Sequence, residues 1–321
     1  MLLLQSTPTL QDLPTPPQGK TGWPWTEASK PLPAKMPDGN QWPRISIVTP
    51  SYNQGEFIEK TIRSILLQGY PNLEYIVIDG GSSDRTVEII RKYEPWIDYW
   101  VSEKDQGQSD AINKGFSRAR GQILAWLNSD DYYLPQALKT VGYYQWKEQV
   151  GALVGIGHSV NKEGKILNKI ESPELNFTAF LDWMDYANFS QPSCFFTRRA
   201  WQECGPLDLE LNYCMDVKLW LDISQKYSFA KIDRSLSHAL VHQGSKTIGQ
   251  GQHSRAETIL LVSQYGGEEI AKKELFKLMD TLTHYLSLRN RIQQMPLVKY
   301  LLLPIYRRIK SYTSSIKKSS I

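Results

Sequence analysis

Asp130 and Asp131 stand side by side where an apolar run, residues 123–127, gives way to Asn128 and Ser129. Two adjacent carboxylates repel each other unless a cation or hydrogen-bond donors stand beside them. Mg2+ and Mn2+ prefer carboxylate oxygens and keep positions open for substrate phosphates. One Asp could therefore hold a metal and the other a ribose hydroxyl, although a solvated loop with a capping Asp would carry the same letters. Two further stretches, 49–53 (Thr-Pro-Ser-Tyr-Asn) and 79–82 (Asp-Gly-Gly-Ser), set polar side chains beside glycines. That composition suits a nucleoside pocket, because glycine permits close backbone approach, and ordinary turns share it. A fourth polar run, 102–110, leads into a helix carrying Asn113 and Lys114, with Ser109 as its expected N-cap.

These stretches need elements to hold them. Residues 45–49 form a β-rich run, and Ile58, Ile62, Ile65 and Leu66 then recur at helical spacing. A continuous apolar strand, 75–78, stops at Asp79. Ser82 or Ser83 is placed to cap the next helix, which carries Val87, Ile90 and Tyr93. A short strand at 99–101, a helix through Ile112 and Phe116, and a strand at 123–127 complete the alternation. Strands alternating with helices predict a mostly parallel central sheet of Rossmann-like α/β type, covered on both faces. Every polar cluster falls just after a strand, at the edge where open α/β sheets bind ligands. The second half is less regular: strands at 152–156, 194–197 and 236–241, a hairpin turn at 162–165, and a helix over 216–227.

Composition narrows the class. The chain has 321 residues with 41% hydrophobic and 22% charged, ordinary for a globular protein, and a net charge of +4, too mild to imply a nucleic-acid partner. Ten Trp and seventeen Tyr are explained first by core packing. Cys194, Cys204 and Cys214 lack CxxC spacing, which disfavours a disulfide framework or structural zinc and suits a reduced cytoplasmic setting. There is no signal-peptide pattern and no stretch of about 20 apolar residues. Three regions result: an extended arm over 1–43, pinned by Trp23, Trp25 and Trp42; a core over 44–253, divided near residue 135 into two halves, 44–135 and 136–253; and a helical basic tail over 254–321. No acidic residue follows Asp280, whereas Arg289, Arg291, Lys299, Arg307, Arg308, Lys310, Lys317 and Lys318 are basic. Interleaved with Leu301, Leu302, Leu303, Ile305 and Tyr306, they read as a peripheral contact with the inner membrane face or as a solvated helix.

Taken together, ISIVTPSYNQGEFIEKTIRSILLQ, YIVIDGGSSDRT and DQGQSDAINKGFSRARGQILAWLNSDDYY resemble glycosyltransferase family 2 over residues 44–249. The resemblance implies the GT-A fold, a nucleotide-sugar donor (most commonly UDP), a divalent Mn2+ or Mg2+ and inversion at the anomeric carbon. By matched motif, Thr49, Pro50, Tyr52 and Asn53 line the nucleoside pocket, Asp79 bonds the base and Gly81 admits the nucleotide. Asp105, Asp110 and Asn113 fall on the donor side. Asp131 is the first choice as metal ligand and Asp130 as ribose contact. Asp216 matches the base that takes the acceptor hydroxyl's proton, with Asp208 and Asp222 as alternatives, and the start of a helix is expected to lower its pKa. Gln191, Pro192 and Ser193 match an acceptor-side segment; His242 matches a residue near the diphosphate that completes the metal sphere, and Lys246 would offset phosphate charge. The acceptor implied is a saccharide or lipid-linked glycan. Two rivals are a sugar-phosphate nucleotidyltransferase, disfavoured because 50–56 lacks a basic residue, and a non-catalytic binding scaffold. No GxGxxG follows the first strand, which disfavours a dinucleotide site.

Overall fold

The computed structural model describes residues 7–186, 188–242 and 251–296. Lys246 and the basic residues from Lys299 onward lie outside the described residues. The chain divides into two compact units, Met1–Tyr265 and Gly266–Ile321.

The first unit is built on β1 (Ile45–Ser51), α1 (Ile58–Leu66), β2 (Leu73–Asp79), α2 (Thr86–Tyr93), β3 (Tyr99–Ser102), α3 (Gln108–Arg118) and β4 (Ile123–Trp126). These four strands pair in parallel in the order β3-β2-β1-β4. All seven residues of β1 are buried, as a strand covered on both faces requires. On α1, Ile58, Ile62 and Ile65 are fully buried, each burial contributing about 1.5–3 kcal/mol. Packing is close enough on the other side that a Cβ at Gly115 of α3 would collide with Val48 of β1. Glycine at this helical position lets α3 lie against the strand.

The remaining elements of this unit are β5 (Tyr132–Tyr133), α4 (Ala137–Tyr143), β6 (Val150–Val160), β7 (Ile166–Ile170), α5 (Phe177–Leu181), β8 (Cys194–Thr197), α6 (Arg198–Cys204), α7 (Met215–Lys226), β9 (Ser228–Leu240) and α8 (Gly251–Gln264). They extend the same sheet, β4-β8-β6-β9-β5, with β8 antiparallel to β4 and β7 paired to β6. The outcome is one mostly parallel nine-stranded sheet among the described residues. Strand β9 starts eight residues before the expected strand at 236 because its first half is a partly exposed segment with no clean apolar run. Helix α8 falls inside the first unit, although the sequence placed residues from 254 onward in the tail. The second unit contains α9 (Glu268–Gln294).

Two expected caps are corrected. Helix α2 begins at Thr86 rather than after Ser82 or Ser83, and the Asp84 carboxylate accepts the Thr86 amide and hydroxyl. Ser82 instead bonds Asp79. Ser109 lies inside α3, whose N-cap is Gly107 at φ 113°.

Arg63 ties the N-terminal arm to α1. Arg63, fully buried on α1, donates from Nε to the Pro24 carbonyl, from Nη1 to Pro14, and from Nη2 to Trp25. Nη1 also donates to the Tyr93 hydroxyl, which donates in turn to Glu59. A buried cation needs such a full set of acceptors, and the arm's carbonyls provide it. Trp25 and Trp42 are buried, and the Trp23 indole donates to the Tyr133 carbonyl.

Candidate active site

The carboxyl ends of the parallel strands carry the polar clusters. Register alone aligns Ser51, Asp79 and Ser102 in one row across β1, β2 and β3. Asp79 is fully buried and accepts from the Ser82 amide at 2.8 Å, the Ser82 hydroxyl at 2.5 Å, the Ser102 hydroxyl at 2.6 Å and the Gly81 amide at 3.2 Å. Asp79 therefore shapes the loop that follows β2. Asn53, at φ 52°, ties that loop to the one after β1: its amide donates to Ser82 and its side-chain oxygen accepts from the Ser83 amide. Tyr52 between them is 61% exposed, leaving its ring free to cover a planar group. Thr49 points the other way, into the core, where it receives the Tyr75 hydroxyl; Pro50 is also buried.

The donor-side stretch is braced against the same loop. A Cβ on Gly80 would lie 2.6 Å from an Asp105 oxygen, so that carboxylate presses directly on the β2 loop backbone. Gly81 takes φ 81°, a conformation that favours glycine. Asp105 accepts the Gly107 amide, and Asp110 accepts the Gln106 amide and pairs with Lys114 at 3.2 Å. Asn113 uses both ends of its amide on the backbone of Leu207, donating to its carbonyl and accepting its N–H. Its side chain therefore anchors the chain after α6.

The acidic pair is split by its surroundings. Asp131 is buried; Oδ1 accepts the Leu240 amide at the end of β9 and Oδ2 lies 3.4 Å from the Asn128 amide group. Burial, and then the charge of Asp130, push the Asp131 carboxyl well above the usual range. Asp130 Oδ2 lies 3.1 Å from His242 Nε2, 112 residues away in sequence. Asp131 and His242 were both expected at the metal; the residue whose carboxylate meets the His242 ring is Asp130. The cause is topological: β9 pairs antiparallel to β5, with Tyr132 opposite His238, so the chain leaving β9 arrives beside Asp130. The His242 ring also packs 4.7 Å from that of Phe57. Thr61 on α1 donates to the Ser129 and Asp131 carbonyls and fixes this loop from below. The sequence reading missed Phe57 and Thr61, since both read only as parts of a helix and its approach.

On the other flank, Gln191 donates to the Trp126 carbonyl at the end of β4, while its own oxygen is buried without a partner. Pro192 is buried, and Ser193 is turned into the sheet, bonded to Ile156 and Ser237. Asp216, second residue of α7, accepts the Val217 amide and lies close enough to Cys194 to raise that thiol, after the larger effect of burial. Its carboxyl is pushed up to about 6, first by crowding from surrounding protein and then by the charge of Glu257 on α8. The expected lowering by the helix start is thus overturned: hydrogen bonding acts in that direction, but desolvation wins. The residue as a whole is half-buried, and the enclosing protein sets the direction. Trp220 on α7 stacks on Trp126 at 5.5 Å, fixing the helix that bears Asp216 to β4. The large aromatics serve packing here, as their number alone suggested.

Among the described residues, Asp130 and His242 belong to no group of three or more metal-type ligands. A carboxylate oxygen and an imidazole nitrogen that meet beside a second, destabilised carboxylate fit a divalent cation whose other ligands are phosphate oxygens and water.

Comparison with known proteins bears on the fold and the family. The model of the Glycosyl transferase family 2 family matches residues 46–205. The chain is 26% identical to a hyaluronan synthase of Pasteurella multocida over 238 residues, covering 73% of this chain and 24% of that one. It spans about a third of the length of the first curated relatives it matches (34% and 35%). Among solved structures it resembles S. aureus TarS 1–349 in complex with UDP-GlcNAc, with TM-score 0.57 and 17% identity over 72% of this chain and 71% of that one. It also resembles the mannosyltransferase PcManGT of Pyrobaculum calidifontis in complex with GDP-Man and Mn2+, with TM-score 0.51 and 16% identity over 80% and 82% of the two chains. The fold is therefore GT-A, and with the motifs of β1, β2 and β4 in their family order the chain belongs to glycosyltransferase family 2.

Proposed function

We propose that the chain transfers a sugar from a nucleotide-diphosphate donor, a UDP-sugar first among them, to a hydroxyl of a saccharide or lipid-linked acceptor, with inversion, in polysaccharide or glycolipid synthesis. The observation that carries this reading is the meeting of Asp130 and His242 beside buried Asp131. In support, the structural neighbours hold UDP-GlcNAc or GDP-Man, one of them with Mn2+, and a relative is a hyaluronan synthase.

In this reading Asp130 and His242 would hold the metal, and Asp131 orients the pair through Leu240; the metal role first given to Asp131 passes to Asp130. When bound, the cation supplies positive charge for the departing diphosphate. Tyr52 covers the base, and the loop shaped by Asp79, with Gly81 at its turn, receives the nucleoside. Asp105 and Asp110 keep the donor-side turn in place, and Lys246 would add charge toward the phosphates. Gln191, bonded to the Trp126 carbonyl, holds the segment that would face the acceptor. Asp216 takes the proton of the acceptor hydroxyl as its oxygen bonds the anomeric carbon; the bond from that carbon to the phosphate oxygen breaks, and nucleoside diphosphate leaves. A base raised to about 6 is largely ionised at neutral pH and stronger than an ordinary Asp.

The test is metal-dependent release of nucleoside diphosphate from a panel of UDP-, GDP- and dTDP-sugars, with Mn2+ or EDTA, for the wild type and for Asp130→Ala, His242→Ala and Asp216→Asn. Release abolished by EDTA and by each substitution is expected. Tight nucleotide binding without turnover on any acceptor would favour the scaffold, and release of pyrophosphate from a nucleoside triphosphate would favour the nucleotidyltransferase.

The acceptor's setting follows from the second unit. No helix among the described residues is long and apolar enough to cross a membrane. Helix α9 nonetheless exposes Leu282, Leu286 and Ile292 alongside Arg289 and Arg291, which supports peripheral contact with an anionic membrane face. Salt-sensitive co-sedimentation with phosphatidylglycerol vesicles, lost in Leu282→Glu/Leu286→Glu, is the expected result; no co-sedimentation at low salt would rule the contact out.

A further inference from the structure

Helix α7 starts without a cap of its own. Its N-cap residue, Cys214, offers no side-chain acceptor, although Asp216 sits in the first turn. Helices usually solve this locally, with Ser, Thr, Asp or Asn at the N-cap. Here the acceptor comes from α8, more than forty residues on. Glu257 receives the Asn212 amide on Oε1 at 2.9 Å, and the Tyr213 and Cys214 amides on Oε2 at 2.6 and 2.9 Å. Two neighbours on α8 reach the same side of the unit: His253 stacks on Tyr213 at 6.3 Å, and Arg255 lies 3.6 Å from Asp185. Segment 212–214, which leads into α7, is thus bonded to α8.

We infer that Glu257 is a positioning residue for Asp216, holding segment 212–214 so that the carboxylate at the start of α7 keeps its place. The inference rests on the reading of Asp216 as the base. Glu257 also faces Asp216 with like charge, so it opposes ionisation there; Cys194 from β8 and Cys214 beside it are the other titratable groups facing Asp216. Burial works against the charge of Glu257 itself, but its three backbone bonds prevail and hold it below the usual range.

The experiment uses the full chain and two readouts. Amide exchange over 212–217 is compared in the wild type, Glu257→Gln and Glu257→Ala; a lost cap corresponds to exchange about tenfold faster in the alanine variant, with the glutamine variant between. Release of UDP from UDP-N-acetylglucosamine, with water as acceptor, is then followed against pH. Glu257→Gln is expected to lower kcat about tenfold with KM within about twofold, and to move the acid limb to lower pH, because removing a like charge makes Asp216 easier to ionise. A loss of general stability alone would not move that limb. Unchanged exchange over 212–217 in Glu257→Ala overturns the inference whether or not turnover is detected. If Asp216→Asn turns over like the wild type, the base reading fails on its own account, and the exchange data still decide whether Glu257 holds the segment.

Discussion

Strand β2 carries a buried carboxylate near its start, Glu74, at the end of the sheet away from the polar clusters; Asp131 and Asp216 lie at the other. Glu74 is almost fully buried and completely partnered: Arg44 Nη2 at 3.0 Å, the Ser46 hydroxyl at 2.5 Å, and Arg120 through its amide at 2.6 Å and its Nε at 2.9 Å. Burial alone would raise it, yet these partners hold it below the usual carboxylate range. Among the described residues no cation pairs with Asp131 or Asp216, and burial pushes both upward. The difference separates a carboxylate placed for stability from carboxylates kept reactive: the first has its charge answered by the fold, and the others wait for a ligand or a proton.

Breaking the two ends should therefore give opposite results. The largest expected effect is at Asp216. Asp216→Asn should lower turnover by about 10²–10⁴-fold, the range for a lost general base, while thermal unfolding shifts upward. The shift follows because ionising Asp216 costs the folded state roughly 1–3 kcal/mol at neutral pH, the difference between about 6 and an ordinary Asp value. An unchanged rate or a lowered Tm would break the comparison. At the other end, Glu74→Ala leaves Arg44 and Arg120 without their shared partner. A loss of about 3–5 kcal/mol is expected if the site behaves as a broken buried pair, read by denaturant midpoint, with the folded fraction still turning over. Loss of the arm's clamp belongs to the same class: Arg63→Ala should destabilise by a similar amount and release residues 14–25 to proteolysis.

The pH dependences sharpen the contrast and are smaller. Glu74 has a depressed folded pKa, so its contribution is present above about 4.3, the unfolded value, and is lost as pH falls through the lower folded value. Asp216 has a raised folded pKa, so its effect on stability runs oppositely: the folded state loses stability as pH rises from about 3.9 toward 6, and activity rises over the window around 6 as the base ionises. Urea midpoints in Glu74→Gln and Asp216→Asn against pH would separate the two slopes; parallel slopes would contradict the assignment. The smallest effect is expected at Gly80→Ala, where the new Cβ meets Asp105 at 2.6 Å; KM for the donor should rise by several-fold with kcat little changed, roughly 1 kcal/mol of lost fit.

Much of the parallel half of the sheet was legible in the residues. Fully apolar strands and helix-spaced isoleucines are local patterns, so the order β1, α1, β2, α2, β3, α3 and β4 could be read, with the strands close to their bounds. Caps were read less well, because Asp84 and Gly107 displaced the serines that composition favoured. The short β5, the exposed β7 and the first half of β9 left no periodic signal, since strands of two residues or with exposed faces need none.

By itself the sequence determined the parallel half of the sheet, the strand-end loops that carry Asp79 and Asp130–Asp131, and the family to which those motifs belong. These depend on short-range spacing, which a chain must write locally. Only the tertiary structure decided that His242 meets Asp130, that Asn113 and Ser193 are committed to backbone or core partners, and that Glu257 caps the helix bearing Asp216. It also reversed the direction of the Asp216 shift, because a helix start is visible in sequence whereas the protein packed around a carboxylate is not. Pairings across a hundred residues, and the desolvation they create, arise from strand order and packing, and no local pattern encodes them.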